Sequence, residues 1–248
     1  MLILLPPSET KRDGGAGAPL DFGALSYPRL GRVRRSLVRR VVQLARQPEE
    51  MLSRLKLGPK LAFEVERNRR LRTTPTMPAL DRYTGVLYEA LDAPALDADA
   101  RAFADGHLAI HSALFGLVAA CDGIPAYRLS HDSRLEGPTL RATWGSTITR
   151  ELGSHRDELI LDLRSEGYTA LGPTPAGRSS YFVRVVTPGD DGRQRALNHF
   201  NKKGKGELTR ALLQNGEDFA DAADLIAWGA QAGFALEVAE NGELLLEV

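Results

Sequence analysis

The sequence has one cysteine, Cys121, among its 248 residues. No disulfide can close within the chain, and metal sites built on paired cysteines are excluded. A lone cysteine among apolar neighbours is expected as a small buried hydrophobe. No stretch approaches the roughly 18 consecutive apolar residues of a membrane span, and no basic segment leads into an apolar run of signal-peptide length at the start. The expectation is a cytoplasmic protein with no membrane partner. Three motifs are missing as well: GxxxxGK[ST], a GxGxxG following a strand, and GxSxG around Ser112 or Ser146. Their absence removes Walker-type nucleotide binding, the dinucleotide fingerprint and the hydrolases of that serine class. The histidines, His107, His111, His131, His155 and His199, are scattered. His107 and His111 are placed on a strand, where that spacing separates them by about 13 Å. No metal site and no cofactor is expected.

Net charge is also absent, with 32 basic residues against 32 acidic, yet the two signs are not mixed. Residues 29–72 carry fourteen Arg or Lys and four Glu, a local excess of ten, while residues 211–248 hold eight acids and no Lys or Arg. Such segregation lets a neutral, soluble chain present a strong local field. The acidic end reads as solvated helix faces. The basic stretch reads equally as a solvated face or as a surface for a polyanion.

Along the chain, Leu2–Leu5 is an apolar run stopped by Pro6-Pro7, as suits a buried strand. From Val33 to Ala45 apolar residues recur at helical spacing with arginines opposite, an amphipathic basic helix. A helix from Pro48 to about Lys56, a break at Leu57-Gly58-Pro59 and a helix from Pro59 to about Arg70 follow; Gly58 is expected to take the left-handed conformation that ends the first of them. Asp97 caps a helix ahead of the buried run His107–Ser112. Leu159–Leu163 reads as a strand, as do SSYFVRVVT and RQRALNHF around a turn at 188–192. NKKGKGELTRALLQ is expected to begin a helix after its two glycines, an acidic helix spans about 217–229, and a hairpin through Asn241-Gly242 closes the pattern. The sum is a mixed α/β fold over residues 1–248, one domain with a central mixed sheet and a basic helical insertion at about 29–72.

Three segments share an apolar strand followed by small polar groups: LILLPPSETK, LAIHSALFG and LILDLRSEGY. Loops beyond the carboxyl ends of parallel strands converge on one crevice. If these strands are parallel neighbours, Ser8, Glu9, Thr10 and Lys11 meet Ser112, Gly116, Ser165, Glu166 and Tyr168. The simpler reading of any single Ser or Thr is a helix cap. Lys202, Lys203 and Lys205, interleaved with Gly204 and Gly206, resemble a phosphate-cradling loop ahead of a helix, with a solvated lysine loop as the alternative. Leu57, Gly58, Pro59 and Lys60, between two short helices, have the form of a helix-hairpin-helix, whose main-chain N–H groups and lysine grip a DNA phosphate without reading sequence.

The ordered blocks LILLPPSETK, DRYTGVLYEAL, LAIHSALFGLVAACDGIPAYRL, TWGSTIT, LDLRSEGY and ALNHFNKKGKGELTRAL resemble the YaaA peroxide-stress family over nearly the full length. The opening departs from the family's commoner Ser-Pro-Ala-Lys-Thr type, but a lysine, Lys11, remains in that loop. The resemblance implies a mixed α/β fold with a positively charged cleft, a helix-hairpin-helix, DNA binding, and a role in limiting hydrogen peroxide damage, partly by lowering free iron. Carried onto this chain, the hairpin is Leu57, Gly58, Pro59 and Lys60, and the cleft draws on Lys11, Arg128, Lys202, Lys203 and Lys205.

Two function classes therefore stand. One is a DNA-binding stress protein that holds phosphates non-specifically. The other is an enzyme acting on a nucleobase, a nucleotide or another small anionic substrate, with Lys11 as nucleophile or clamp, Glu9 or Glu166 as acid/base, Ser8, Thr10, Ser112, Tyr127 and Arg128 lining the cleft, and Tyr83, Tyr127 and Trp144 as candidates to stack a base. Direct iron binding is a third and weaker reading.

Overall fold

The computed structural model describes residues 1–155, 158–176, 179–187 and 198–248. The chain opens with β1 (Leu2–Leu5) and a short β2 (Gly17–Pro19), followed by helices α1 (Gly31–Leu44), α2 (Pro48–Arg54) and α3 (Phe63–Arg69). Next come β3 (Pro75–Pro78), α4 (Ala79–Arg82), α5 (Val86–Leu91), α6 (Ala98–His107) and the hairpin β4 (Leu108–Ser112) and β5 (Gly116–Ala119). After β6 (Gly123–Ile124) come α7 (Leu140–Trp144), α8 (Thr147–Leu152), β7 (Ile160–Asp162), α9 (Glu166–Thr169) and β8 (Ser180–Val186). Then follow α10 (Asn198–Asn215), α11 (Ala222–Ala232), β9 (Ala235–Val238) and β10 (Leu244–Glu247).

Among the described residues the strands form a seven-stranded sheet, order β5-β4-β1-β7-β8-β10-β9, and a three-stranded antiparallel sheet, β2-β3-β6. In the large sheet β4, β1, β7, β8 and β10 are mutually parallel, and the edge strands β5 and β9 run antiparallel to their neighbours. Every residue of β1, β4 and β7 is buried. Strands covered on both faces read as unbroken apolar runs, which is why these three were visible in the sequence. They are adjacent, so their carboxyl ends, at Leu5, Ser112 and Asp162, open on one edge of the sheet.

The helical stretch packs through the apolar stripe Leu37, Val38, Val41 and Leu44 of α1. Arg34 of the same helix does not belong to the basic surface. It is fully buried and donates to the carbonyls of Phe115 (2.7 Å), Ser26 (2.7 Å) and Leu117, tying α1 to the β4–β5 hairpin.

Several expectations are corrected. Gly58 is extended, with φ −73°; the left-handed residue is Lys56, φ 53°, and Leu57 N–H reaches back to the Leu52 carbonyl at 2.8 Å. That 6→1 bond closes α2 two residues earlier than a Gly58 cap would. Cys121 is exposed. His107 ends α6 instead of lying on the strand that holds His111. The acidic helix starts at Ala222, where the Asp221 side chain accepts from the Ala223 and Asp224 amides. The expected turn at 188–192 and the strand up to 197 lie outside the described residues, while 198–200 are helical.

The largest correction concerns α10. Gly204 and Gly206 lie inside this helix, not in a loop before it. A Cβ at Gly206 would stand 2.2 Å from the Leu87 carbonyl oxygen of α5, and one at Gly204 would stand 2.7 Å from Val248 Cγ1. The glycines let α10 press against α5 and the end of the sheet, a close approach that any side chain would block.

Candidate functional site

The loop leaving β1 is held along the segment that joins α4 to α5: Arg12 N–H donates to the Arg82 carbonyl (2.9 Å), Thr84 N–H to the Thr10 carbonyl (3.2 Å), and Lys11 pairs with Tyr83 as a single antiparallel bridge. This turns the Lys11 side chain inward. Its Nζ donates to the carbonyls of Ser8 (2.8 Å) and Glu9 (3.3 Å) and sits 4.2 Å from the ring centre of Tyr127 and 5.2 Å from that of Tyr83. No carboxylate of the described residues lies within ion-pair distance of it. Burial lowers its pKa from 10.5 to about 7, with Arg128 and Arg67 acting in the same direction and Glu64 and Glu9 against it. Desolvation exceeds the attraction of the two carboxylates.

Beneath Lys11 runs a chain of hydroxyls. Ser112 Oγ accepts from the amides of Leu114 (3.1 Å) and Phe115 (3.0 Å) and lies 2.6 Å from Tyr127 Oη, which in turn lies 2.8 Å from Tyr83 Oη. With both lone pairs of Ser112 engaged, its hydrogen must go to Tyr127. One hydrogen joins the two phenols, and one phenolic hydrogen is left over. Burial raises the Tyr127 pKa to about 12, opposed by the bonds from Ser112 and Tyr83, and holds Tyr83 well above the ordinary phenol range.

The outer wall is the irregular stretch after β6. Arg128 donates to Glu9 Oε2 (2.8 Å), and Ser130 Oγ to Glu9 Oε1 (3.4 Å), so Glu9 and Arg128 close over the loop that carries Lys11. Ser8, Thr10 and Thr84 form an exposed hydroxyl group beside them, with Oγ separations of 3.2 and 2.9 Å. The stretch itself is fastened from α3: Asn68, fully buried, accepts from Arg128 N–H (2.8 Å) and donates to the Arg128 carbonyl (2.7 Å). Glu64, one turn earlier on the same helix, is buried against Arg67 at 3.0 Å. A basic-lobe helix therefore holds the strand-end site directly.

On the β7 side, Arg164 makes two bonds to Asp162 (2.8 and 2.6 Å) and donates to His111 Nδ1 (2.8 Å). A donor at Nδ1 places the His111 hydrogen on Nε2. That buried Nε2 has no partner among the described residues. Burial and Arg164 keep His111 well below the ordinary imidazole pKa, and its ring stands edge-on to Tyr168, which also meets His131.

The expected residues divide accordingly. Lys11, Glu9, Ser8, Thr10, Ser112, Tyr127 and Arg128 come together. Glu166 does not: it begins α9 in solvent and faces Arg184 at 3.5 Å. Gly116 packs under Trp144 and Leu30. Tyr83, Tyr127 and Trp144 are 2 % exposed or less, so none offers a face to an incoming base. As helix residues, Lys202, Lys203 and Lys205 form no phosphate loop. Lys203 pairs with Glu207 (3.3 Å), and Lys205 is buried, donating to the Leu163 carbonyl (3.1 Å), with burial lowering its pKa to about 8. Sequence reading missed Asn68, Glu64 and the Asp162–Arg164–His111 group. Glu64 and Asn68 stand four apart in α3, the spacing of one helix face, and that was the available signal.

At the other end of α2 and α3, Gly58, Pro59 and Lys60 are exposed, with open space around Gly58. The amides that begin a helical turn have no partner within it. Ten of the fourteen cations of residues 29–72 are exposed. Among the described residues no carboxylate lies within 4.0 Å of Arg32, Arg39, Arg46, Lys60, Arg70 or Arg72. Also among the described residues, no group of three or more His, Cys, Asp or Glu is placed to hold a metal ion.

Fold and site together define a mixed α/β protein whose strand-end polar cluster is anchored to a basic helical lobe. The profile of the family described as Peroxide stress protein YaaA matches residues 1–239. A UPF0246 protein of Corynebacterium efficiens is 46 % identical over 246 residues, covering 97 % of this chain and 96 % of its own. One of Corynebacterium glutamicum is 43 % identical over the same shares, and one of Streptomyces coelicolor is 38 % identical over 96 % and 92 %. The chain belongs to the YaaA peroxide-stress family.

Proposed function

We propose that this is a cytoplasmic peroxide-stress protein that holds DNA by its phosphates, with little base preference, through a helix-hairpin-helix formed by α2, Leu57–Lys60 and α3. The observation that supports it is the set of exposed, unpaired cations sharing a lobe with the open Gly58-Pro59-Lys60 turn. Main-chain amides at a turn and nearby point charges suit a phosphate, and phosphate contacts position a protein on DNA without reading its sequence. Cytoplasmic placement agrees with the family and with the absence, among the described residues, of a helix long and apolar enough to cross a membrane. The test is a titration of arbitrary-sequence duplex at two salt concentrations. Binding should weaken steeply with salt, as counterion release requires, and Lys60→Glu should weaken it further. Salt-independent binding, or a Lys60→Glu variant equal to the native protein, counts against the hairpin.

A second reading is favoured by Lys11. A buried amine with a near-neutral pKa, set among hydroxyls at the ends of parallel strands, is more than a phosphate grip needs. It supports an enzyme acting on a nucleobase, a nucleotide or another small anionic substrate. Lys11→Ala should then abolish turnover while duplex affinity stays near native; equal loss of both would remove this reading.

A further inference from the structure

We propose that the Lys11 amine condenses with an aldehyde, and that this aldehyde is the open-chain C1′ carbonyl of an abasic deoxyribose in DNA held by the basic lobe. The inference rests on the second reading above and names its substrate class.

The geometry around Nζ is that of an amine prepared to lose a proton. Its two hydrogen-bond partners are main-chain carbonyls, and a neutral amine has two hydrogens to give them and one lone pair left. No described carboxylate pairs with it to hold the charge. Burial lowers its pKa to about 7, so this amine gives up its proton far more readily at neutral pH than an exposed lysine does. A free lysine amine in a desolvated setting is the nucleophile of carbonyl chemistry. In DNA the carbonyl of that kind is the deoxyribose aldehyde left where a damaged base has been lost, and oxidative attack on bases is a route to it.

The step balances with groups at hand. The amine lone pair adds to the carbonyl carbon to give a carbinolamine; its hydroxyl leaves as water with the surplus hydrogen of the Tyr83–Tyr127 pair, and the iminium N–H returns a proton to the phenolate. The product is an imine, and water reverses the sequence. Access is through the Glu9–Arg128 pair. Glu9, its side chain 64 % exposed, bonds to Arg128, which is 14 % exposed. A DNA phosphate presents the same acceptor oxygens to a guanidinium as a carboxylate does. Docking at Arg128 therefore competes with Glu9, whose main-chain carbonyl is one of the two acceptors of the Lys11 amine, and loosens the loop that holds it. Asn68 joins the Arg128 main chain to α3, so the duplex grip and the amine belong to one mechanical unit.

The experiment incubates the native protein with an end-labelled duplex containing one abasic site, in the presence of cyanoborohydride, which reduces the imine to a stable secondary amine. We expect a covalent adduct that maps to Lys11 by peptide mass. Its yield should fall by about tenfold or more in Lys11→Met, which removes the amine and keeps an unbranched side chain. Glu9→Gln, which weakens the cover, should raise the yield. Mapping in the unaltered protein decides the matter even if Lys11→Met does not fold. Bound abasic duplex that gives no adduct, or an adduct on lysines other than Lys11, overturns the proposal. Free 2-deoxyribose 5-phosphate is the second arm. If it labels Lys11 while bound abasic duplex does not, DNA is the wrong source of the aldehyde. If no duplex binds at all, the DNA reading fails separately, and labelling of Lys11 by the sugar phosphate supports the amine chemistry while its absence overturns it.

Discussion

At the scale of single residues, two buried lysines are tied to main-chain carbonyls at strand ends, Lys11 beyond β1 and Lys205 against the Leu163 carbonyl beside β7. Each carries a pKa lowered by burial, to about 7 and about 8 from 10.5. The consequence for stability has a definite sign. Between the folded and unfolded pKa values the unfolded chain keeps a proton that the folded chain has released, so unfolding takes up protons and stability rises with pH. Below about pH 7 the folded protein bears the full cost of a buried Lys11 charge. One such group contributes a slope of up to about 1.4 kcal/mol per pH unit. Denaturant unfolding followed from neutral pH upward should therefore show rising stability, with Lys11→Met flattening the whole of the rise and Lys205→Met only the part above about pH 8. The window closes near pH 10, the ordinary phenol value, because Tyr83, Tyr88 and Tyr168 have raised pKa values and work in the opposite direction above it. A native curve that falls or stays flat between neutral pH and that limit would mean that these lysines are hydrated.

At the scale of elements, α10 shows how local chemistry misleads. Lysines interleaved with glycines read as an anion loop, yet the glycines lie at helix–helix contacts, where α10 meets α5 and the last residue of the sheet region. Propensity alone says that Gly206→Ala should stabilise a helix by about 1 kcal/mol. The expected outcome is the reverse: a methyl 2.2 Å from the Leu87 carbonyl oxygen forces the helices apart and should cost about 1–3 kcal/mol, read as a lower Tm. Ala at Gly58, which has open space and an ordinary φ, should be nearly neutral and serves as the control. The same contrast marks what the sequence makes legible. Strands β1, β4 and β7 and the polar loops at their ends could be read because continuous burial leaves an unbroken apolar run, and the meeting of Lys11 and Glu9 with Ser112 follows from their being neighbours, whereas Tyr127 and Arg128 come from the irregular stretch after β6. Gly206 could not be read this way, because its reason lies in α5, more than a hundred residues away in sequence. Asn68 stayed hidden for the same reason: its partner is the main chain of Arg128, and backbone groups carry no sequence signal.

At the scale of the whole molecule, a chain of zero net charge depends on separation of its charges to attract a polyanion. The cations of residues 29–72 fall into two populations. Arg34 is locked inside by three carbonyls, and Arg29, Arg54, Lys56, Arg67 and Arg69 face carboxylates, while the exposed Arg32, Arg35, Arg39, Arg46, Lys60, Arg70 and Arg72 have none within reach among the described residues. Only a cation that is not already neutralised releases a counterion from DNA without first breaking a bond of its own. Each contributes about −0.9 to the slope of log K against log salt, so these seven unpaired exposed cations bound the slope at about −6. Arg72→Ala should reduce its magnitude by about 1, whereas Arg69→Ala, which removes a paired cation, should change it by a smaller amount. Measured across a range of salt, equal effects of the two substitutions would show that DNA opens the Arg69–Glu66 pair on binding and that the free lobe's pairing does not describe the bound one. Unequal effects in the expected order would locate the duplex on the unpaired set, the set that shares its lobe with the Asn68 anchor of the strand-end site.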